Sequence, residues 1–304
     1  MFNKDSKTIN VEGAKLSAKL ESVLSQRRNE AGRYWVSYTF PLRPNVALEA
    51  VLSNANGSET KLGVITGAGP SDSTTRAGLF LLYDEKSDLN RPVRAELFDL
   101  DRPHSLSGPV YTLGHIDASQ SLEFLERLIE ASSDAELCGR LVESAAVHDD
   151  LTAESLLKKW ARDLSLVEAR MVAIRWLGRI SGHLDFLSEV AAARDENQRV
   201  RVQAIISIGK STEPEAAGTL GKLYETIEET ALKMYVISAL SKQHHRSVAA
   251  GLLHDISESE ADDALKLHSR AKLDKTGGKK KLKRAKVNPF LKRFKKKAGG
   301  LSIL

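Results

Sequence analysis

Two sets of basic side chains recur at a fixed spacing in the second half of this 304-residue chain. Arg170, Arg201 and Lys233 form one set, and Arg179, Lys210 and Lys242 form the other; successive members are 31 and then 32 residues apart. If the repeats stack, equivalent residues line up along one surface. Each set then becomes a row of cations able to grip phosphates or carboxylates. A structural use competes with that reading. Arg179, Lys210 and Lys242 fall where helices should end, and cations there complement the helix dipole. Arg170 and Arg201 can pair with acids between repeats.

The carboxyl terminus concentrates positive charge. From Lys272 to Leu304 there are thirteen Lys and Arg against one acid, Asp274, a net +12; subtracting this from the +5 of the whole chain leaves −7 for residues 1–271. One basic cluster comprises Lys279, Lys280, Lys281, Lys283, Arg284 and Lys286. The other comprises Lys292, Arg293, Lys295, Lys296 and Lys297, and it interleaves Phe290, Leu291 and Phe294 at i, i+1, i+4 behind Pro289. Like charge and scarce apolar residues predict disorder in isolation. Pro289 and the aromatic spacing allow a short basic helix on contact with a partner. Such a segment suits a polyanion: nucleic acid, the ribosome, an anionic membrane surface or an acidic protein groove.

Other chemistries lack their residues. Gly63, Gly67 and Gly69 have no Lys-Ser/Thr to complete a phosphate-binding loop. Gly178 to Gly182 has the wrong spacing for a nucleophile elbow. The eight histidines are scattered. His244 and His245 are adjacent and cannot converge on a metal from a helix, and His183 with Asp185 suits a helix start. Trp160, Asp163, Arg175 and Trp176 supply the residue types of helical DNA glycosylases without their spacing, and the tryptophans read as packing residues. The single cysteine, Cys138, sits in an apolar helical run and reads as a buried hydrophobe. No cofactor or metal is expected, no run of about 18 apolar residues suggests a membrane span, and the amino terminus lacks a signal-peptide core. The expectation is a non-enzymatic cytoplasmic protein.

The elements that position the cations are helices. Residues 169–180, ARMVAIRWLGRI, recur as 200–211, VRVQAIISIGKS, and more weakly as 232–243, LKMYVISALSKQ. Ala173, Ile174 and Leu177 become Ala204, Ile205 and Ile208, then Val236, Ile237 and Leu240, an apolar helical stripe in each copy. Gly178, Gly209 and Ser241 follow it, small residues that permit close packing. Each A helix (165–181, 197–210, 228–242) is followed by a B helix (183–194, 213–226, 246–257). Leu141, Val142 and Ala145 suggest an earlier, poorer copy.

These residues resemble HEAT repeats, most closely the short form of phycobilin-lyase-like proteins, with an Arg and then Ala-x-x-x-Leu-Gly; VRVQAIISIGKS is the best match. The resemblance covers about residues 134–258. It implies an α-solenoid, and arrays of this kind are mostly binding scaffolds. A lyase or chaperone-like role, as in phycobilin lyases, is a further implication.

Upstream the period changes to two. Tyr34, Val36, Tyr38 and Phe40 alternate with Trp35, Ser37 and Thr39, and five more short runs follow between turn-forming clusters. Leu16, Leu20, Val23 and Leu24 mark an amphipathic helix before them. The expected fold is α+β and multidomain. Residues 1–32 form an amphipathic extension, 33–118 an antiparallel sandwich or barrel-like β-domain, 119–270 a short solenoid of HEAT-like helix pairs, and 271–304 a disordered basic tail. The expected function is a protein-binding scaffold whose tail adds affinity for a polyanion. The alternatives are a nucleic-acid- or ribosome-associated protein held by the tail, and the lyase-like role.

Overall fold

The computed structural model describes residues 8–11, 15–27, 32–48, 64–66, 73–84, 91–102 and 106–275. The chain divides into two compact units, Met1–Ala173 and Ile174–Leu304.

The first unit is built on a five-stranded sheet. Its strands are β1 (Thr8–Asn10), β2 (Arg33–Thr39), β5 (Ala77–Asp84), β6 (Arg94–Asp99) and β7 (Val110–His115), in the order β1-β7-β2-β5-β6. A separate ladder joins β3 (Val46–Leu48) to β4 (Val64–Thr66). The sheet is mixed. β2, β5 and β6 pair antiparallel, whereas β7 runs parallel to both β1 and β2. The expected all-antiparallel domain is therefore corrected, and a closed barrel or sandwich is absent among the described residues. The cause is α1 (Leu16–Arg27), which connects β1 to β2 and packs on β7. A helix between two strands permits parallel pairing, which a tight hairpin cannot. Leu16 and Val23 supply its buried face, and Lys19 Nζ donates to the carbonyl of Leu113 at 2.6 Å.

The alternation in β2 sorts its side chains as expected. Tyr34 and Tyr38 face the helices: Tyr34 lies under the Arg27 guanidinium of α1, and Tyr38 meets Phe124 of α2 (Ala118–Ala131). Trp35 faces the other way, into a cluster with Phe80, Leu82, Leu106 and Val110. Both faces are covered, so nearly the whole strand is buried.

Helices α3 (Ala135–Ala146) and α4 (Leu151–Asp163) complete the unit, and α3 also packs on β6. Asp134 and Asp150 cap them by accepting from the amides of Leu137 and Thr152. Leu141, Val142, Ala145 and Trp160 are buried. So is Cys138, whose thiol burial pushes up to about 11.

The second unit is a stack of helix pairs. It begins within α5 (Val167–Leu177) and continues through α6 (Leu184–Ala192), α7 (Gln198–Lys210), α8 (Ala216–Thr226), α9 (Thr230–Leu240), α10 (Arg246–Ser259) and α11 (Asp263–Lys275). Trp176, Leu177, Ala204, Ile205, Ile208, Val236, Ile237 and Leu240 are buried, as the stripe requires. The small residues set the spacing between layers. A Cβ on Gly178 would lie 2.5 Å from Ser207 Cβ, and one on Gly209 would lie 2.7 Å from Ala239 Cβ.

The same close approach fixes the register. Gly178 meets the residue 29 positions later and Gly209 the residue 30 positions later, two short of the repeat period in each case. Ser238 meets His268, again 30 positions later, through Oγ and Nε2 at 3.0 Å. Helix α11 is therefore a fourth A helix at a period of 32, packed on α9 and α10. It runs to Lys275, inside the stretch assigned to the tail.

Candidate functional site

The two cationic sets have opposite fates. In the first, Arg201 is buried at 5 % exposure. Its Nε donates to the carbonyl of Ala191, at the end of the preceding B helix, at 3.0 Å. Its terminal nitrogens donate to Oε1 and Oε2 of Glu229, which precedes α9, at 2.7 and 3.4 Å. Those bonds hold the Glu229 carboxyl down at about 2. One guanidinium thus ties α7 to the helix before it and to the helix stacked upon it. In the first unit Arg170 makes the equivalent bond, Nε to the carbonyl of Ala161 at 2.9 Å. Lys233 places its ammonium 4.9 Å from the Tyr224 ring centroid, and the Tyr224 hydroxyl donates to Glu260. All three members of this set lie against protein groups, and Arg201 offers nothing to solvent.

The second set is exposed. Arg179 leans over the Trp176 ring at 5.1 Å, while Lys210 and Lys242 make no ion pair among the described residues. Members of the two sets sit nine residues apart; Lys210 ends α7, whereas Arg179 and Lys242 lie two residues beyond α5 and α9. At 3.6 residues per turn, nine residues is two and a half turns, so on α7 Arg201 and Lys210 point to opposite sides. The apolar stripe claims the side of Arg201 and leaves Lys210 outside. Asp274 occupies the equivalent position of α11, so the exposed row stops at α9. The tail cations Lys279 to Lys297, with Phe290 and Phe294, lie outside the described residues, as do Gly63, Gly67 and Gly69.

The outward side of α7 and α9 mixes polar residues, Arg199 and Gln203 on α7 and Ser238 on α9, with apolar ones. Val202 and Ile206 on α7 and Met234 on α9 are half-buried; Tyr235 on α9 is 44 % exposed, and Leu267 on α11 is 70 % exposed. Tyr235 and Leu267 are one period apart. The B helices differ: Asp185, Glu189, Glu225 and Glu258 are exposed on α6, α8 and α10.

One constellation escaped the sequence reading. Tyr38 Oη lies 2.9 Å from Ser121 Oγ, which lies 2.7 Å from His148 Nε2; His148 Nδ1 lies 2.9 Å from the carbonyl of Ser144. A carbonyl only accepts, so Nδ1 carries a hydrogen. The neutral ring then accepts at Nε2 from the Ser121 hydroxyl, and Tyr38 donates to Ser121. Burial pushes the imidazole down to about 4, and Phe40 stacks on the ring at 3.9 Å. A serine hydroxyl on a histidine nitrogen is the geometry of an activated nucleophile. Here neither residue has surface to offer a substrate, each being 0 % exposed. The chain of hydrogen bonds fastens β2 to α2 and to the segment that follows α3. Ser121 and His148 are 27 residues apart, and no spacing rule connects them.

The remaining candidates are structural in their placement. Trp160 and Trp176 are buried indoles. His183 is buried at the start of α6 without a side-chain capping bond, contrary to the expected cap. His245 Nε2 lies 3.2 Å from the Thr212 carbonyl. No group of three metal-binding side chains comes together among the described residues, and no described helix is long and apolar enough to cross a membrane.

No protein-family model and no curated protein matches the chain. Among solved structures, the complex of CpcE and CpcF of phycocyanin lyase from Nostoc sp. PCC7120 is similar. It is 20% identical with a TM-score of 0.36, covering 52% of this chain and 98% of that one.

Proposed function

We propose that the protein is a binding scaffold. Its HEAT-like repeats hold an acidic protein partner through the exposed row Arg179, Lys210 and Lys242, and the basic tail adds electrostatic affinity for a polyanion. The observation that carries this reading is the division of the cations. The inward set does structural work, while the outward set recurs at equivalent, exposed positions. Cations at helix ends gain only about 0.3–1 kcal/mol from the dipole, and this term needs no particular side of the helix.

The test is a pull-down with the full chain, with residues 1–275 and with Arg179→Glu/Lys210→Glu/Lys242→Glu. Recovery of the same protein by the first two, lost in the third, supports the scaffold. Recovery that disappears with the tail and survives charge reversal overturns it. In that case a steep fall of binding with added salt assigns the function to the tail and nucleic acid, the second reading that the tail's charge favours.

A further inference from the structure

We infer that the partner is an acidic amphipathic helix lying across α7, α9 and α11, its apolar stripe on Ile206, Met234, Tyr235 and Leu267 and its carboxylates on Lys210 and Lys242. The inference rests on the scaffold reading and names the partner of the same surface. It begins from an excess of apolar side chains where a stacked helix has no neighbour left to bury them. The A helices already spend one side on the B helices and on each other. Their outward side would be polar if it met only water, as the B helices' exposed acids show. There Arg199, Gln203 and Asp274 are joined by apolar residues: Val202, Ile206 and Met234 stand half-buried, Tyr235 is 44 % exposed and Leu267 is 70 % exposed.

Geometry favours a helix over an extended peptide. The register contacts place α7 beside α9 and α9 beside α11. Packed helices lie about 8–10 Å apart. A helix rises about 1.5 Å per residue, so residues seven apart are separated by about 10 Å and share a face. A helix crossing the stack thus presents one apolar anchor to each A helix in turn, at i, i+7 and i+14. Charge selects its sign. Lys210 and Lys242 border the apolar strip at the carboxyl ends of α7 and α9, which favours glutamate or aspartate along that edge. The chain's own tail is excluded by the same argument, since residues 276–304 carry eleven Lys and Arg and no acid.

The test uses the full chain and three fluorescent 18-residue peptides with a helix staple. One has leucines at helical spacing and glutamates elsewhere, the second has lysines in place of the glutamates, and the third is the first in scrambled order. The acidic amphipathic peptide is expected to bind at least about tenfold more tightly than the other two. Tyr235→Ser/Leu267→Ser should weaken it by about 30-fold, since two apolar anchors are lost. Both side chains are exposed, and an unchanged circular dichroism spectrum confirms that the variant folds. Lys210→Glu/Lys242→Glu should weaken it by about fivefold and improve the lysine peptide. Equal affinity for the scrambled peptide, no binding of any peptide, or indifference to Tyr235→Ser/Leu267→Ser overturns the inference. The scaffold reading is judged separately, on the partner retained by residues 1–275 and lost on charge reversal.

Discussion

Replacing Gly209 by alanine sets two effects of known sign against each other. Within a helix the change favours folding by about 1 kcal/mol, because glycine is the poorer helix former. Against it stands the contact with α9. The new Cβ would lie 2.7 Å from Ala239 Cβ and 3.1 Å from its Cα. Carbon atoms rest about 3.5–4.0 Å apart, so α7 and α9 must part by about 1 Å along a layer built on that approach. Overpacking of this kind costs about 1–3 kcal/mol, so the net expectation is a loss of up to about 2 kcal/mol, read from urea unfolding by circular dichroism. Gly218→Ala on α8 is the control. Its added Cβ meets nothing within 4 Å, so only the helix propensity remains and the variant should gain up to about 1 kcal/mol. Ala239→Gly in the Gly209→Ala background removes the closest contact, and the pair should show a favourable coupling of about 1–2 kcal/mol. If Gly209→Ala stabilises as much as Gly218→Ala, or the coupling is zero, glycine does not set the layer spacing and the register derived from it is wrong.

Three further outcomes follow from buried groups. The His148 imidazole is neutral in the fold, at about 4 against an ordinary 6.5, so its contribution is complete above pH 6.5 and is lost as the pH falls toward 4. The difference in unfolding free energy between the wild type and His148→Gln should therefore shrink by about 3 kcal/mol over that range; a pH-independent difference refutes the assignment of the proton to Nδ1 alone. Arg201→Met should cost about 2 kcal/mol, the worth of its bonds to the Ala191 carbonyl and the half-exposed Glu229 carboxylate, and Glu229→Gln should cost less. In the native protein Cys138 should resist a thiol reagent at pH 8 and react fully in urea; rapid native labelling would contradict its burial.

What could be read from the residues depended on whether the signal was local. The alternation of Tyr34, Val36, Tyr38 and Phe40 reports which face a side chain takes, and the structure agrees. It does not report which strand lies alongside. The parallel β7 between β1 and β2 follows from the helix joining those strands, and β1 is only three residues long, too short to show a period. The repeated stripe and the glycine after it were legible because each copy must solve the same packing problem. Their receivers were not. Ser207 and Ala239 are ordinary small residues until Gly178 and Gly209 are laid against them. Helix α11 lacks that glycine, with Leu273 at the equivalent position, so its sequence echo is faint although its place in the stack is the same. Ser121 and His148 meet only through tertiary packing, which leaves no periodic mark.

The cations carry the wider lesson about repeats. Alignment along the chain makes Arg201 and Lys210 look like two tracks of one surface, yet nine residues separate them and a helix turns them apart. Only one of two such rows can share the side of the buried stripe. Ile205 follows Arg201 by four residues and Ile208 by seven, nearly whole turns, so the stripe and Arg201 share a side and burial follows. A buried guanidinium must then find acceptors or cost several kcal/mol, and the Ala191 carbonyl with the Glu229 carboxylate meets that need. By the same arithmetic Ile206 precedes Lys210 by four residues and Gln203 by seven, so the outward cation of α7 shares its side with one apolar and one polar residue that the stripe excludes. On α7 that arithmetic puts Lys210 on the same side as Ile206 and opposite Arg201.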